Sequence, residues 1–153
     1  MSTNISVVLA DLATCLCSEL NHPTCFCGVL PAGDPMDMMG DCEGDNCGQA
    51  WVRLTTAYPA EAVGTPDQTL NNCRAPLSFE AEIGVLRCFP VEEMYDSADM
   101  LSSAQQQAAD IRAMERAIRC CDSLEEYILG PYTPVGPQGG ALGGVFTLSI
   151  GGY

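Results

Sequence analysis

The sequence predicts a single α+β domain over residues 1–153. A mixed or antiparallel β-sheet is flanked by an N-terminal helix and a second long helix at about 98–121, and a strand lies near the C-terminus. Two observations carry this. Apolar residues recur at helical spacing in two separated segments and alternate in strand fashion in others, and no repeat or linker divides the order helix, strands, helix, strand. A chain of 153 residues, 47% hydrophobic and 17% charged, suits one core and excludes overall disorder.

The first helix is expected from Ile5 to Leu20, because Ile5, Val8, Leu9, Leu12, Ala13, Leu16 and Leu20 form one apolar stripe. Asn4 or Thr3 can cap its start, and Asn21-His22-Pro23 stops it. Residues 28–48 read as a loop broken by Gly28, Pro31, Gly33, Pro35, Gly40, Gly44 and Gly48. It carries Met36, Met38 and Met39, and it is long for a connection inside a compact domain, so it has a task or is fastened by its cysteines.

Trp51 to Tyr58 is rich in β-branched and aromatic residues and reads as a strand ending at Pro59. Residues 59–76 are polar and punctuated by Pro, Gly and Asn. A longer strand is expected from Leu77 to Phe89. Phe79, Ala81, Ile83 and Val85 alternate with Glu80 and Glu82. From Gly84 onward Leu86 and Cys88 make both faces apolar, as for a strand covered on both sides. Gly84 is a candidate bulge or bend. Asp96 or Ser97 can cap the second helix, whose seam is Ala104, Ala108, Ile111, Met114, Ile118 and Cys121. That seam is expected to be core, with docking of a partner as the other reading. The glycine and proline pairs from Gly130 to Gly144 suggest a wide hairpin loop ahead of a last strand, Val145 to Ile150.

Composition excludes several functions. The longest apolar run is far shorter than the roughly 20 residues a membrane helix needs. The N-terminus has neither the basic residues nor the unbroken apolar run of a secretory signal, so a protein folding in the cytoplasm is expected. The net charge is −14, with six basic residues against twenty acidic ones, so phosphate binding is disfavoured.

No residue stands out as catalytic. The only histidine, His22, sits at a helix end, where capping carbonyls is the ordinary role, and no nucleophile or base motif accompanies it. The pairs Gly139-Gly140 and Gly143-Gly144 precede a strand rather than opening a helix, which argues against a phosphate cradle. The acidic loop Asp34, Asp37, Asp41, Glu43 and Asp45 lacks the spacing of a calcium loop.

Ten cysteines stand at 15, 17, 25, 27, 42, 47, 73, 88, 120 and 121. Cys25, Cys27, Cys42 and Cys47 could form a four-thiolate zinc site, but the C-x-C spacing is poor for chelation from one turn. Disulfides among Cys25, Cys27, Cys42, Cys47, Cys73 and Cys88 are the alternative, with connectivity open. Cys15 and Cys17 cannot share the first helix's apolar stripe, and the adjacent Cys120 and Cys121 point apart, with Cys121 in the seam. Disulfides in a chain without a secretion signal suit a protein made in the cytoplasm but working outside it.

Four segments in order carry a resemblance. They are the first helix with Cys25-Phe-Cys27-Gly28-Val-Leu-Pro31 after it; Cys47-Gly-Gln-Ala-Trp51-Val-Arg-Leu54 to Pro59; Glu82-Ile-Gly-Val-Leu-Arg87-Cys88 with the helix containing Met114 to Cys121; and Tyr132-Thr-Pro-Val-Gly-Pro137 through to Ile150. Together they resemble small neck and tail proteins of actinobacterial siphophages, most closely their tail terminator proteins. The resemblance implies a structural virion protein that assembles as a homohexameric ring on the head-proximal end of the tail tube. Such a ring contacts copies of itself, the major tail tube protein and a head-to-tail stopper or connector. DNA passes through its lumen without specific binding.

The resemblance implies no enzyme activity, catalytic residue, metal or cofactor. A stopper or adaptor ring of the neck is the alternative within the class; a small cysteine-dependent metal-binding module is the alternative outside it. An acidic channel wall, which repels DNA, and apolar subunit contacts agree with the −14 charge and the hydrophobic composition. The segments 34–48 and 130–144 are the expected arms toward neighbouring subunits.

Overall fold

The computed structural model describes residues 4–31, 35, 48–89, 94, 96–138 and 140–151. Cys42, Cys47 and the acidic, methionine-bearing segment lie outside the described residues, and with them the calcium loop, half of the zinc site and the arm at 34–48. The described chain is an α+β domain with two helices and one five-stranded mixed sheet. The elements run α1 (Ile5–Glu19), β1 (Phe26–Leu30), β2 (Gln49–Pro59), β3 (Leu77–Cys88), α2 (Ser97–Arg119), β4 (Tyr127–Gln138) and β5 (Ala141–Ile150).

Helix α1 starts where a cap exists. The Asn4 side chain accepts a hydrogen bond from the Ser6 backbone N–H at 3.0 Å, a device that contributes about 1 kcal/mol. Val8, Leu9, Leu12, Ala13 and Leu16 are buried, as the stripe requires. Asp96 caps α2 in the same way through the Ala98 N–H at 2.9 Å.

The sheet order is β1-β2-β3-β5-β4, with β1 and β2 parallel and every other pair antiparallel. Strand β1 corrects the reading of residues 28–48 as one loop, since the chain is already paired from Phe26 to Leu30. The parallel pairing also accounts for the length of the connection between β1 and β2. A parallel neighbour can only be reached by a return connection of a dozen residues or more.

Both helices pack on one face of the sheet. Val8, Leu12 and Leu16 of α1 and Met114, Ala117 and Ile118 of α2 share a core with Val52, Phe79, Ala81, Ile83, Val85, Phe146, Leu148 and Ile150. On the opposite face a smaller cluster joins Leu30, Trp51 and Leu86, with Val135 and Val145 against it. The second half of β3 is therefore covered on both sides.

Gly84 corrects another expectation. It marks no bulge: it pairs regularly with Trp51 and with Val145, and the register shift of β2 lies instead between Leu54 and Thr56. The glycine is there because the Trp51 indole lies directly over it, where a Cβ would overlap the ring. The indole N–H then donates to Glu82 Oε1 at 3.0 Å, and Arg53 Nη2 donates to Glu82 Oε2 at 2.9 Å.

The Pro/Gly stretch from 130 to 144 is not a wide loop. It forms β4, an edge strand, and the start of β5. The register of β4 shifts between Leu129 and Tyr132 and between Val135 and Gln138, which are the places of Gly130-Pro131 and Gly136-Pro137. Proline cannot donate to a sheet ladder and is tolerated at an edge or a bulge, and β4 offers both. Gly144 belongs to β5 and lies beneath the Tyr132 ring, where a side chain would collide with it.

Candidate functional site

A cluster of polar side chains gathers at one end of the sheet, beneath the middle of α2. Arg87, near the end of β3, faces the helices. Its Nε donates to Asp110 Oδ2 at 2.7 Å, and its Nη2 donates to Asp110 Oδ1 at 2.8 Å and to the His22 carbonyl at 2.8 Å. The pair is largely buried, with side chains 17% and 8% exposed. Bidentate geometry and the extra carbonyl satisfy a guanidinium that burial would otherwise make costly. Gln106 Nε2 donates to Asp110 at 3.2 Å, and Gln107 Nε2 donates to the Gly143 carbonyl at 3.0 Å and to Tyr132 Oη at 3.2 Å. Burial pushes the Tyr132 phenol above its ordinary value; the Gln107 hydrogen bond opposes this and the Asp110 charge adds to it.

These side chains line a cavity of about 90 Å³ together with Val85, Phe89 and Leu142. A small-molecule site takes roughly 300 Å³ or more. The arginine charge is already matched, and neither the glutamines nor the phenol is a nucleophile with a base beside it. What the cluster does is fix α2 to the sheet.

His22 is exposed and contributes its main-chain carbonyl to this network. The capping role expected of its side chain belongs elsewhere: the α1 C-cap is Leu20, whose N–H donates to the Leu16 carbonyl. Sequence reasoning missed Arg87 and Asp110. An arginine at the end of an apolar strand and an aspartate inside a helix were the signal that each needed the other.

The cysteines staple α1 on both flanks. Residues two apart on a helix point about 200° apart, so Cys15 and Cys17 reach opposite sides of the apolar stripe. Cys15 is bonded to Cys121 at the end of α2, and Cys17 to Cys27 in β1. Cys25 and Cys88 are also disulfide-bonded, while Cys73 and Cys120 are free and exposed. The expected set was therefore right for Cys25, Cys27 and Cys88 and wrong for Cys73, and it omitted Cys15, Cys17 and Cys121. Disulfide bonding removes Cys25 and Cys27 as thiolate ligands. Among the described residues no group of three or more His, Cys, Asp or Glu could hold a metal ion.

All six basic residues are arginines, and five of them pair with carboxylates of their own chain. Arg53 pairs with Glu82, Arg87 with Asp110, Arg116 with Glu19, and both Arg112 and Arg119 with Glu115. The two arginines hold the Glu115 carboxyl below its ordinary value. Arg74 stands exposed in the 60–76 segment.

The α2 seam divides at its middle. Met114, Ile118 and Cys121 are buried as expected. Ala104 and Ala108 are exposed, because the helix turns Gln106, Gln107 and Asp110 toward the sheet end, where Arg87 and the Gly143 carbonyl lie. Every described residue from Asp96 to Ser102 is exposed, and these turns carry Met100 and Leu101. No described helix is long and apolar enough to cross a membrane.

No known protein-family model matches the chain, and no curated protein is significantly similar to it.

Proposed function

We propose that this chain is a structural virion protein of a tailed bacteriophage, a tail terminator that closes the head-proximal end of the tail tube as a homohexameric ring and joins it to the head connector. The observation that carries this reading is the free-standing start of α2. Helices in proteins owe most of their stability to an apolar face packed on something else. In this chain Met100 and Leu101 stand 44% and 59% exposed, on turns where every described residue from Asp96 to Ser102 is exposed.

Two further observations support it. With five of six arginines tied to its own carboxylates, an acid-rich surface has little left to hold phosphate, which suits a ring that DNA must slide through. Six described cysteines are oxidised, which fits a chain assembled in the host cytoplasm and then carried outside it on a particle. The function lies in packing faces toward copies of itself, the tail tube protein and the connector, not in a reacting group.

The test is the mass of the purified chain at high concentration, with negative-stain images. Closed rings of six copies are expected, and a strictly monomeric chain overturns the reading. Added to polymerising tube protein, the ring should cap tubes and stop their growth. A ring that leaves growth unchanged and binds the connector alone is a stopper or adaptor. About one equivalent of zinc in the purified protein would return the metal-binding module.

A further inference from the structure

Helix α2 is segregated by charge as well as by burial. Its first turns carry Asp96 and Asp99, both exposed, and Glu92 and Glu93 precede them in the sequence. Beside Asp96 and Asp99 stand Leu101, 59% exposed, and Met100, 44% exposed. Its last turns carry Arg112, Arg116 and Arg119, spaced four and three apart and so on one helical face. Their side chains are 74%, 49% and 59% exposed. These three guanidinium groups share two carboxylates, Glu115 and Glu19, which leaves a surplus cation along the row. Asp122 and Glu125 come after the helix has ended.

We infer that α2 is the joint between neighbouring copies of this chain: the acidic, methionine-bearing first turns of one copy dock on the arginine row of the next. This rests on the proposed self-assembly and names the residues that make its contact. The two patches lie some sixteen residues apart on one helix, about 24 Å at the helical rise. One copy therefore cannot join its own two ends. When each copy gives its first turns to one neighbour and its arginine row to another, the contact is heterologous, and it forms a ring where the rotation between copies closes. Burial of Met100 and Leu101 supplies the affinity, and the opposite charges supply the register. The rest of the surface belongs to a chain of net charge −14, so the arginine row is where another copy is least repelled.

The experiment is charge reversal with rescue, read as particle mass in solution. One variant carries Asp99→Arg and Ser102→Arg, which reverses the first turns and leaves the Asp96 cap in place. The other carries Arg112→Glu and Arg119→Glu. Each alone should stay monomeric where the wild type is assembled, with association weakened about tenfold or more. An equimolar mixture should reassemble, because each reversed patch then meets its complement on the other variant. Leu101→Asp, which changes no arginine, should also block assembly, and unchanged far-UV helix signal shows that every variant is folded. Assembly of either charge variant at wild-type strength, or a mixture that stays monomeric, overturns the joint while the ring reading stands. A wild type that never assembles overturns the ring reading itself.

Discussion

Removing the Cys15–Cys121 disulfide should cost this fold more than any surface change. The bond joins residues 106 apart, with a Cα–Cα distance of 5.9 Å. By loop-closure entropy, a cross-link of that span stabilises by about 4.7 kcal/mol at 25 °C. The Cys17–Cys27 bond, with a separation of 10, should contribute only about 2.7 kcal/mol by the same relation. The perturbation is the double change Cys15→Ala with Cys121→Ala, which leaves no odd thiol behind. Urea unfolding monitored by Trp51 fluorescence reads the loss, because the indole is buried against Leu30 and Leu86 and becomes exposed on unfolding. A melting temperature lower by roughly 9–19 °C should accompany it. The Cys17→Ala with Cys27→Ala variant must lose less. A Cys15/Cys121 variant losing under about 1 kcal/mol, or losing less than the Cys17/Cys27 variant, would refute the argument that span sets the contribution.

Arg87→Ala should destabilise by about 3–5 kcal/mol, because it leaves Asp110 buried and charged without its partner, and urea unfolding measures this directly. Arg112→Ala, an exposed pair, should stay within about 0.5 kcal/mol in the same assay. Gly84→Ala should cost about 1–3 kcal/mol and shift Trp51 emission, since the added methyl displaces the indole from β3 and from Glu82. Tyr132 should ionise above the ordinary tyrosine value in an ultraviolet pH titration, and Tyr132→Phe should remove that step. Its folded-state value is raised, so the contribution is complete below the unfolded value near 10 and fades as pH climbs through the folded one.

The elements that sequence reasoning found are those whose pattern comes from one buried face. Helix α1 has a cap, a stripe and a proline stop, and strand β3 shows alternation that turns to double burial where Trp51 and Val145 cover it. The elements it misread lie at the two edges of the sheet. Strand β1 is five residues long with Gly28 at its centre, too short for alternation to register. Strand β4 carries Pro131, Pro134 and Pro137, which would forbid a central strand. It lies at an edge and places both Gly-Pro pairs at register shifts, a fact of topology that local composition does not contain. The upper half of the α2 seam was misread for a related reason. Alanine at 104 and 108 continues the apolar spacing, but Arg87 and the Gly143 carbonyl draw the polar row inward instead. Cysteine pairing was beyond reach, since it depends on α1 lying between α2 and β1.

The fold and the proposed role draw on the same few cations. A chain with twenty acids and six arginines has little positive charge to deploy, and this one commits Arg53 and Arg87 to anchoring its own sheet. Those two stiffen the domain and are lost to any outside anion. The three on α2 remain at the surface, held loosely by Glu115 and Glu19 in pairs that water and salt weaken. Exposed pairs of this kind contribute little to stability, so exchanging one carboxylate partner for another on a neighbouring copy costs the monomer little. Buried pairs could not be exchanged without unfolding the region around them. The division of arginines into buried anchors and surface pairs thus separates what holds the subunit together from what the proposed contact between copies would use.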